Sequence, residues 1–288
     1  MAILKKDSRI DNRHLEKMTL RESQLAALET LKEVDKICNK IGVQYFLMFG
    51  TLIGAIRHKG FIPWDDDLDI AMLRPDYDKF VNYCINHKLE GYSIDNYLTI
   101  KGIPFGITRF CNLNYLVEFN RYSSYKTSGA FIDIYPFDGL GPSGDLWWNE
   151  HDKERFELFI DINLAGLQLT QRKNVLTFLY RLPRALMKKY KGTNFYIEKL
   201  NNLSQHFTVA ESDFVYYPMW LEVPKIIKLK KEYFSDCIKT DFENFSAPIP
   251  RGYDEILKEI YGNYLELPPE NERHTEHGYV EYRIVDNH

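Results

Sequence analysis

Asp65-Asp66-Asp67-Leu68-Asp69-Ile70-Ala71-Met72 alternates carboxylates with apolar side chains from Asp67 onward. A period of two is that of a β-strand with one face in a core. Residues 67–72 are therefore expected as a strand, with Asp67 and Asp69 on one side and Leu68 and Ile70 on the other. Two carboxylates held this close repel, and a proton or a divalent cation relieves the conflict. Mg²⁺ bound to phosphate oxygens takes only one or two protein carboxylates. The pair thus reads as a metal site, against the plainer alternative of a solvated acidic turn. Asp65 and Asp66 fall in the turn before the strand.

Further upstream, Val43-Gln44-Tyr45-Phe46-Leu47-Met48-Phe49 is apolar on nearly every position, the pattern of a strand central in a sheet. Gly50-Thr51 breaks it, and residues 51–58 are expected as a short helix. A glycine at the end of a buried strand lets backbone amides approach an anion, and a helix start favours negative charge. With Arg57, His58 and Lys59 next in line, the segment describes a phosphate site beside a metal site. A third carboxylate is expected from a neighbouring strand. Asp133, within Phe131-Ile132-Asp133-Ile134-Tyr135, is the candidate; its plain alternative is an aspartate capping the following turn.

Thr19 and Glu22 have capping-box spacing. Leu25, Leu28, Leu31, Val34, Ile37, Cys38 and Ile41 then recur at helical spacing up to Gly42. Pro75 opens another helix at its first turn. Strands are expected at 105–110, 115–119 and 130–135, with a turn at Pro136–Gly139. Beyond Gly144 the pattern turns helical, over 146–164, 176–189 and 195–206. Strand-like runs follow at 214–217 and 225–229, then a last helix at 253–261. The chain is expected to be α+β, with a catalytic core over 1–144 and a helix-rich region over 145–288 packed on it and completing the cleft.

The 288 residues carry a formal net charge of −4, which argues against a nucleic-acid binder. Cys38, Cys84, Cys111 and Cys237 are scattered without Cys-x-x-Cys spacing, so neither a zinc knuckle nor a disulfide framework is expected. Met1–Asp7 lacks the apolar core of a signal peptide. The apolar run 41–56 is interrupted by Gln44, Thr51 and three glycines and falls short of the ~20 residues that a membrane helix needs. The expectation is a soluble cytoplasmic protein.

The run from Phe49-Gly50-Thr51 through Arg57-His58-Lys59 to Trp64-Asp65-Asp66-Asp67-Leu68-Asp69-Ile70 resembles the signature of the LicD family. That family includes phosphocholine transferases and relatives of the fukutin group, within the nucleotidyltransferase (DNA polymerase β-like) superfamily. Phe131–Gly139 resembles the family's second block, and Pro250–Asp254 through Tyr261-Gly262 and Leu267–Pro269 its carboxy-terminal block. The resemblance implies a nucleotidyltransferase-like mixed sheet flanked by helices. It implies Asp67 and Asp69 as the metal pair, Asp133 as third carboxylate, and Gly50 and Thr51 facing the donor phosphates. Arg57, His58, Lys59, Arg109 and Arg251 join them as phosphate-binding candidates, each against the alternative of a surface salt bridge.

The implied reaction is transfer of phosphocholine, or a similar phospho-alcohol, from CDP-choline or a related donor to a glycan hydroxyl, with Mg²⁺ or Mn²⁺ as cofactor. Two other readings stay open: nucleotidyl transfer from an NTP to a small acceptor, and a non-catalytic glycan- or partner-binding protein. Arg273, His274 and His277 near the end read as an exposed tail rather than a zinc site. Arg251 and Asp254 either line the cleft or cap the last helix. Residues 162–197 hold no acid but several Lys and Arg between apolar residues. The stretch 172–191 is read either as a helix packed on the domain or as a basic face resting on the inner surface of a membrane beside a lipid-linked acceptor.

Overall fold

Thr19 starts the first helix, α1 (Leu20–Ile41), through the reciprocal bonds that its sequence prescribes. The Glu22 carboxylate accepts from the Thr19 backbone N–H at 2.8 Å, and Thr19 Oγ1 accepts from Glu22 N at 3.4 Å. Gly42 ends the helix with φ 63°, a left-handed cap that glycine adopts without a Cβ clash. The computed structural model describes residues 13–103, 105–119, 129–143, 146–163, 186–187, 190–218, 226–274 and 278–286.

The chain is a mixed α+β fold. Its main sheet takes β2 (Phe46–Leu47), β3 (Asp69–Leu73), β4 (Tyr92–Asp95), β5 (Thr108–Asn112) and β7 (Ala130–Gly139) in the spatial order β2-β3-β7-β5-β4. β3 and β7 are parallel, and the other pairings are antiparallel. β8 (Phe214–Tyr216) pairs with the end of β7, and β9 (Leu229–Lys230) with β8. A second sheet has the order β1-β12-β6, from β1 (Arg13–Lys17), β12 (Tyr279–Asp286) and β6 (Tyr115–Phe119). β10 (Cys237–Phe242) and β11 (Phe245–Pro250) form a hairpin.

Helices α1 and α3 (Arg74–Asn86) cover one face of the main sheet. Phe80 meets Phe110 there, with ring centroids 6.0 Å apart, and the Tyr77 and Thr108 hydroxyls hydrogen-bond. Alternation along the strands then leaves Asp69 and Asp133 on the opposite face. That face is partly closed by α2 (Phe49–Arg57), whose Phe49 ring stands edge-on to Tyr135 at 4.8 Å. After residue 144 come α4 (Trp147–Asn163), α5 (Thr193–Ser204) and α6 (Tyr253–Tyr261).

Four expectations change. The stretch 43–49 forms only the two-residue β2, and it lies at the end of the sheet order. It is apolar on both faces because the β10–β11 hairpin packs over it and Phe234 meets Phe46 edge-on at 5.6 Å. The acidic strand begins at Asp69, so Asp67 belongs to the preceding loop. Pro136–Gly139 is not a turn but the second half of β7. Its pairing with β5 stops at Ile134, so from Pro136 onward the strand no longer needs a donor on that side. Finally, β1, β4, the β10–β11 hairpin and β12 occupy segments for which no strand was expected. The expected helix 176–189 lies almost entirely outside the described residues.

Candidate active site

The pairing register sets the site. Asp69 on β3 lies directly beside Asp133 on β7, Asp133 beside Arg109 on β5, and Arg109 beside Asp95 on β4. Directly paired residues share a face, so one row of charged side chains crosses four strands. Arg109 Nε donates to Asp133 Oδ1 at 2.9 Å. Its guanidinium lies 3.9 Å from the ring centroids of both Phe105 and Phe131, which fixes its plane. The structure thus places Arg109, a phosphate-binding candidate from sequence, as the partner that orients Asp133.

Of the three carboxylates implied as metal ligands, Asp69 is the most buried, at 6% exposure. Its Oδ1 is buried without a hydrogen-bond partner. Burial raises its pKa well above the carboxylate range, with Asp67, Asp133 and Asp65 adding to the effect in that order and a hydrogen bond with Tyr135 opposing it. Asp67 is half-buried in the loop. Asp65, assigned from sequence to a turn, sits against the start of α2: a Cβ on Gly50 would lie 2.9 Å from Asp65 Oδ2. Gly50 therefore leaves room for a carboxylate.

Thr51 lies in the helix expected from sequence, and Gly50 joins it in the first turn of α2. The chain enters this helix straight from β2 through Phe49 at φ 52°. Thr51 is buried, and its Oγ1 accepts from the Asp69 backbone N–H at 2.8 Å. Thr51 thereby locks α2 to the strand that carries Asp69. Replacing it with valine keeps the shape and leaves that N–H without an acceptor, so Thr51→Val is expected to cost about 1–3 kcal/mol in urea unfolding. Thr51→Ser, which keeps the acceptor, should recover most of it; a valine variant as stable as wild type would refute this role.

The loop leading to Asp67 is held from two sides. Gln24 Nε2 on α1 donates to Asp65 O at 2.8 Å. At the tip of the β10–β11 hairpin, Glu243 N donates to Lys59 O at 2.7 Å, and Arg21 pairs with the Glu243 carboxylate.

Arg57 and Arg251 are engaged elsewhere. Arg57 Nη1 donates to the Tyr264 and Glu266 carbonyls at 3.1 and 3.2 Å, and its Nε to His58 Nε2 at 2.9 Å. His58 is held below the usual histidine range by burial and then by the Arg57 charge. Lys59 is exposed. Arg251 is exposed and paired with Asp236 at 2.6 Å. Asp254, in the first turn of α6, accepts from the Tyr264 hydroxyl at 2.7 Å. His274 is exposed, and His277 lies outside the described residues. Among the described residues no three His, Cys, Asp or Glu side chains converge as a ready-made metal cage.

Three neighbours escaped the sequence reading. Tyr135 bonds Asp69, and burial and the adjacent Asp69 raise its pKa. Tyr279 on β12 donates to Asp66 O at 3.4 Å; burial raises its pKa, followed by the charges of Asp66, Glu281, Asp67 and Asp133. Glu281, two residues on, is 8% exposed with Oε2 unpartnered. Burial pushes its pKa up to about 7, with Ser23 opposing and Asp66 adding. The alternation Tyr279-Val280-Glu281-Tyr282 was the available signal for a strand here.

Residues 42–171 match the family model described as LicD/FKTN/FKRP, nucleotidyltransferase domain. The lipopolysaccharide cholinephosphotransferase LicD of Haemophilus influenzae is 30% identical over 269 residues, covering 91% of this chain and 97% of that protein. The ribitol 5-phosphate transferase FKRP of Mus musculus is 41% identical over 164 residues, 54% of this chain and 30% of that protein.

Proposed function

The chain belongs to the LicD family, and from that premise we propose that it transfers phosphocholine, or a similar phospho-alcohol, from a CDP-linked donor to a hydroxyl of a cell-surface glycan or its lipid-linked precursor. The observation that carries the reading is the unpartnered, buried Oδ1 of Asp69, on a carboxyl that the charges of Asp67, Asp133 and Asp65 reach. Such crowding is costly without a counter-charge. Two relatives named for moving different phospho-alcohols support the class of reaction. The DNA polymerase β-like assignment belongs to the same proposal; the parallel β3–β7 pair that sets Asp69 beside Asp133 supports it.

The residues fit a divalent cation. Asp69 Oδ1 offers an unused ligand atom, Asp67 lies next to it, and a Mg²⁺ ion on a phosphate site needs no more than one or two carboxylates. When bound, Mg²⁺ or Mn²⁺ would neutralise charge on the donor diphosphate and the departing CMP. The chain's own groups do the rest. The first-turn amides of α2 lack intrahelical acceptors and favour an anion. Arg109 holds the Asp133 carboxylate in place, so that Asp133 either supports the ion or takes the proton of the acceptor hydroxyl. Tyr135 orients Asp69.

Purified protein with CDP-choline, CDP-glycerol and CDP-ribitol, with Mg²⁺ or Mn²⁺, is expected to release CMP, faster when a suitable glycan is present. Release of pyrophosphate from an NTP instead would select nucleotidyl transfer. Failure to bind any CDP-alcohol would select the binding-protein reading.

No helix among the described residues is long and apolar enough to cross a membrane. A location at the inner membrane face, with contact through 172–191, is part of the proposal; most of that segment lies outside the described residues.

A further inference from the structure

A pocket of about 340 Å³ opens beside the aspartate loop, between the end of β1, the start of α1 and β12. Its size falls in the ~300–1,000 Å³ range of small-molecule sites. Ser23, Asp66, Tyr279 and Glu281 line it together with Lys17 and Met18. Glu281 is more than nine-tenths buried, and its Oε2 meets no donor. A buried polar atom of this kind costs stability unless a ligand completes it. Tyr279 ties the pocket to the active site: it bonds the Asp66 carbonyl, and the charges of both Asp67 and Asp133 reach it. An alcohol attached to a phosphate at Asp67 and Asp69 therefore has this pocket within its neighbourhood.

We propose that this pocket binds the cationic head of the transferred alcohol, a quaternary or primary ammonium, with Glu281 and Asp66 as its counter-charges and Tyr279 as its aromatic wall. The inference rests on the phospho-alcohol reading above and narrows its substrate class to amino-alcohols.

Charge decides between a cation and a neutral polyol. A polyol would also donate to Glu281 Oε2, but it would neither offset the Asp66 charge nor favour the charged form of Glu281. A cation held by the unpartnered oxygen does both together. Carboxylates combined with an aromatic surface are the composition that recognises quaternary ammonium groups. Lys17, the cation among the lining residues, is exposed and can turn its charge into water. Burial pushes the Glu281 pKa up to about 7 in the empty pocket, and a bound cation would draw it further into its charged form.

Glu281→Gln keeps the shape and removes the charge. Calorimetry on the full chain with Mg²⁺ is expected to show roughly tenfold weaker binding of CDP-choline by the variant. Binding of CDP-glycerol and CMP should be unchanged, and so should the melting temperature or better, since a buried ionisable group is gone. Equal weakening of CDP-choline and CDP-glycerol, unaltered CDP-choline binding, or a wild type that binds CDP-glycerol but not CDP-choline would each overturn the proposal. If the wild type binds no CDP-alcohol, the phospho-alcohol reading itself falls. Choline chloride then decides the pocket alone: saturation transfer to its methyl signal by wild type but not by Glu281→Gln supports the cation site, and no transfer by wild type ends it.

Discussion

Asp69→Asn is expected to lower CDP-alcohol turnover by roughly a thousandfold or more, about 4 kcal/mol of barrier, while raising the melting temperature of the metal-free protein at neutral pH. The two effects have opposite signs for one reason. Asp69 is 6% exposed, its Oδ1 has no partner, and the charges of three other carboxylates act on it. Burial, and then those charges, raise its folded-state pKa. A carboxyl raised on folding contributes stability that is complete below its unfolded value and is lost as pH climbs through the folded one. At about pH 7 the wild type carries that penalty, and the asparagine variant does not. In chelator the variant should therefore melt higher, by roughly 2–4 °C for each kcal/mol relieved. The gap should close as pH falls toward 4, where both forms are neutral. Added Mg²⁺ should raise the melting temperature of wild type and do little for the variant. Near-normal turnover by Asp69→Asn, or a variant that melts lower than wild type in chelator at neutral pH, would remove Asp69 from the ion-binding role.

What could be read from sequence was local. The Thr19–Glu22 cap, the left-handed Gly42 and the helix 253–261 depend on neighbours within a turn, and each is found where its signal stands. The alternation of apolar and polar residues found β6 at its observed bounds. Pattern failed where burial came from distant chain. Residues 43–49 look central because two faces are apolar, but the second cover is a hairpin nearly 200 residues later. A proline suggested a turn at 136, and only the end of the β5 pairing explains why a strand tolerates it there.

The site follows the same division. Asp69 and Asp133 were legible because each sits in an apolar run, and the register brings them side by side. Strand parity misplaced Asp67, since it extended the strand two residues too far back. Asp67 remains a neighbour of Asp69 through the loop that Gln24 and Glu243 hold. Arg109 carried a signal for charge but none for its target. Its aromatic seat draws on Phe105, Phe119 and Phe131 from separate segments. Glu281 gave no signal by itself, because a glutamate in an alternating strand is ordinarily a solvated one. Its burial comes from pairing between β1 and β6 at the far end of the chain.

The largest stability effect is expected away from the chemistry, at Asp138. Arg74, the first residue of α3, donates to Asp138 through Nε at 2.6 Å and Nη2 at 2.7 Å. The two residues are 8% and 1% exposed. Burial raises the Asp138 pKa even against the Arg74 charge, a sign that desolvation consumes much of what the pair gains. Removing one partner leaves the other charge buried alone. Asp138→Ala is therefore expected to cost about 3–5 kcal/mol in urea unfolding, a large part of the ~5–15 kcal/mol that holds a typical domain. Replacing both partners with apolar side chains of similar volume, as in Arg74→Met with Asp138→Leu, should bring stability back to within about 1 kcal/mol of wild type or above it. A single variant that loses less than about 1 kcal/mol would mean that water or a neighbour such as Asp78, 3.5 Å from Arg74, compensates the charge. Asp138 stands five residues beyond Asp133 on the same strand, so the two side chains leave β7 on opposite faces. The double variant should therefore keep CDP-alcohol turnover, and loss of turnover in a stably folded double variant would show that the ion pair sets the position of Asp133 as well as the stability of the sheet.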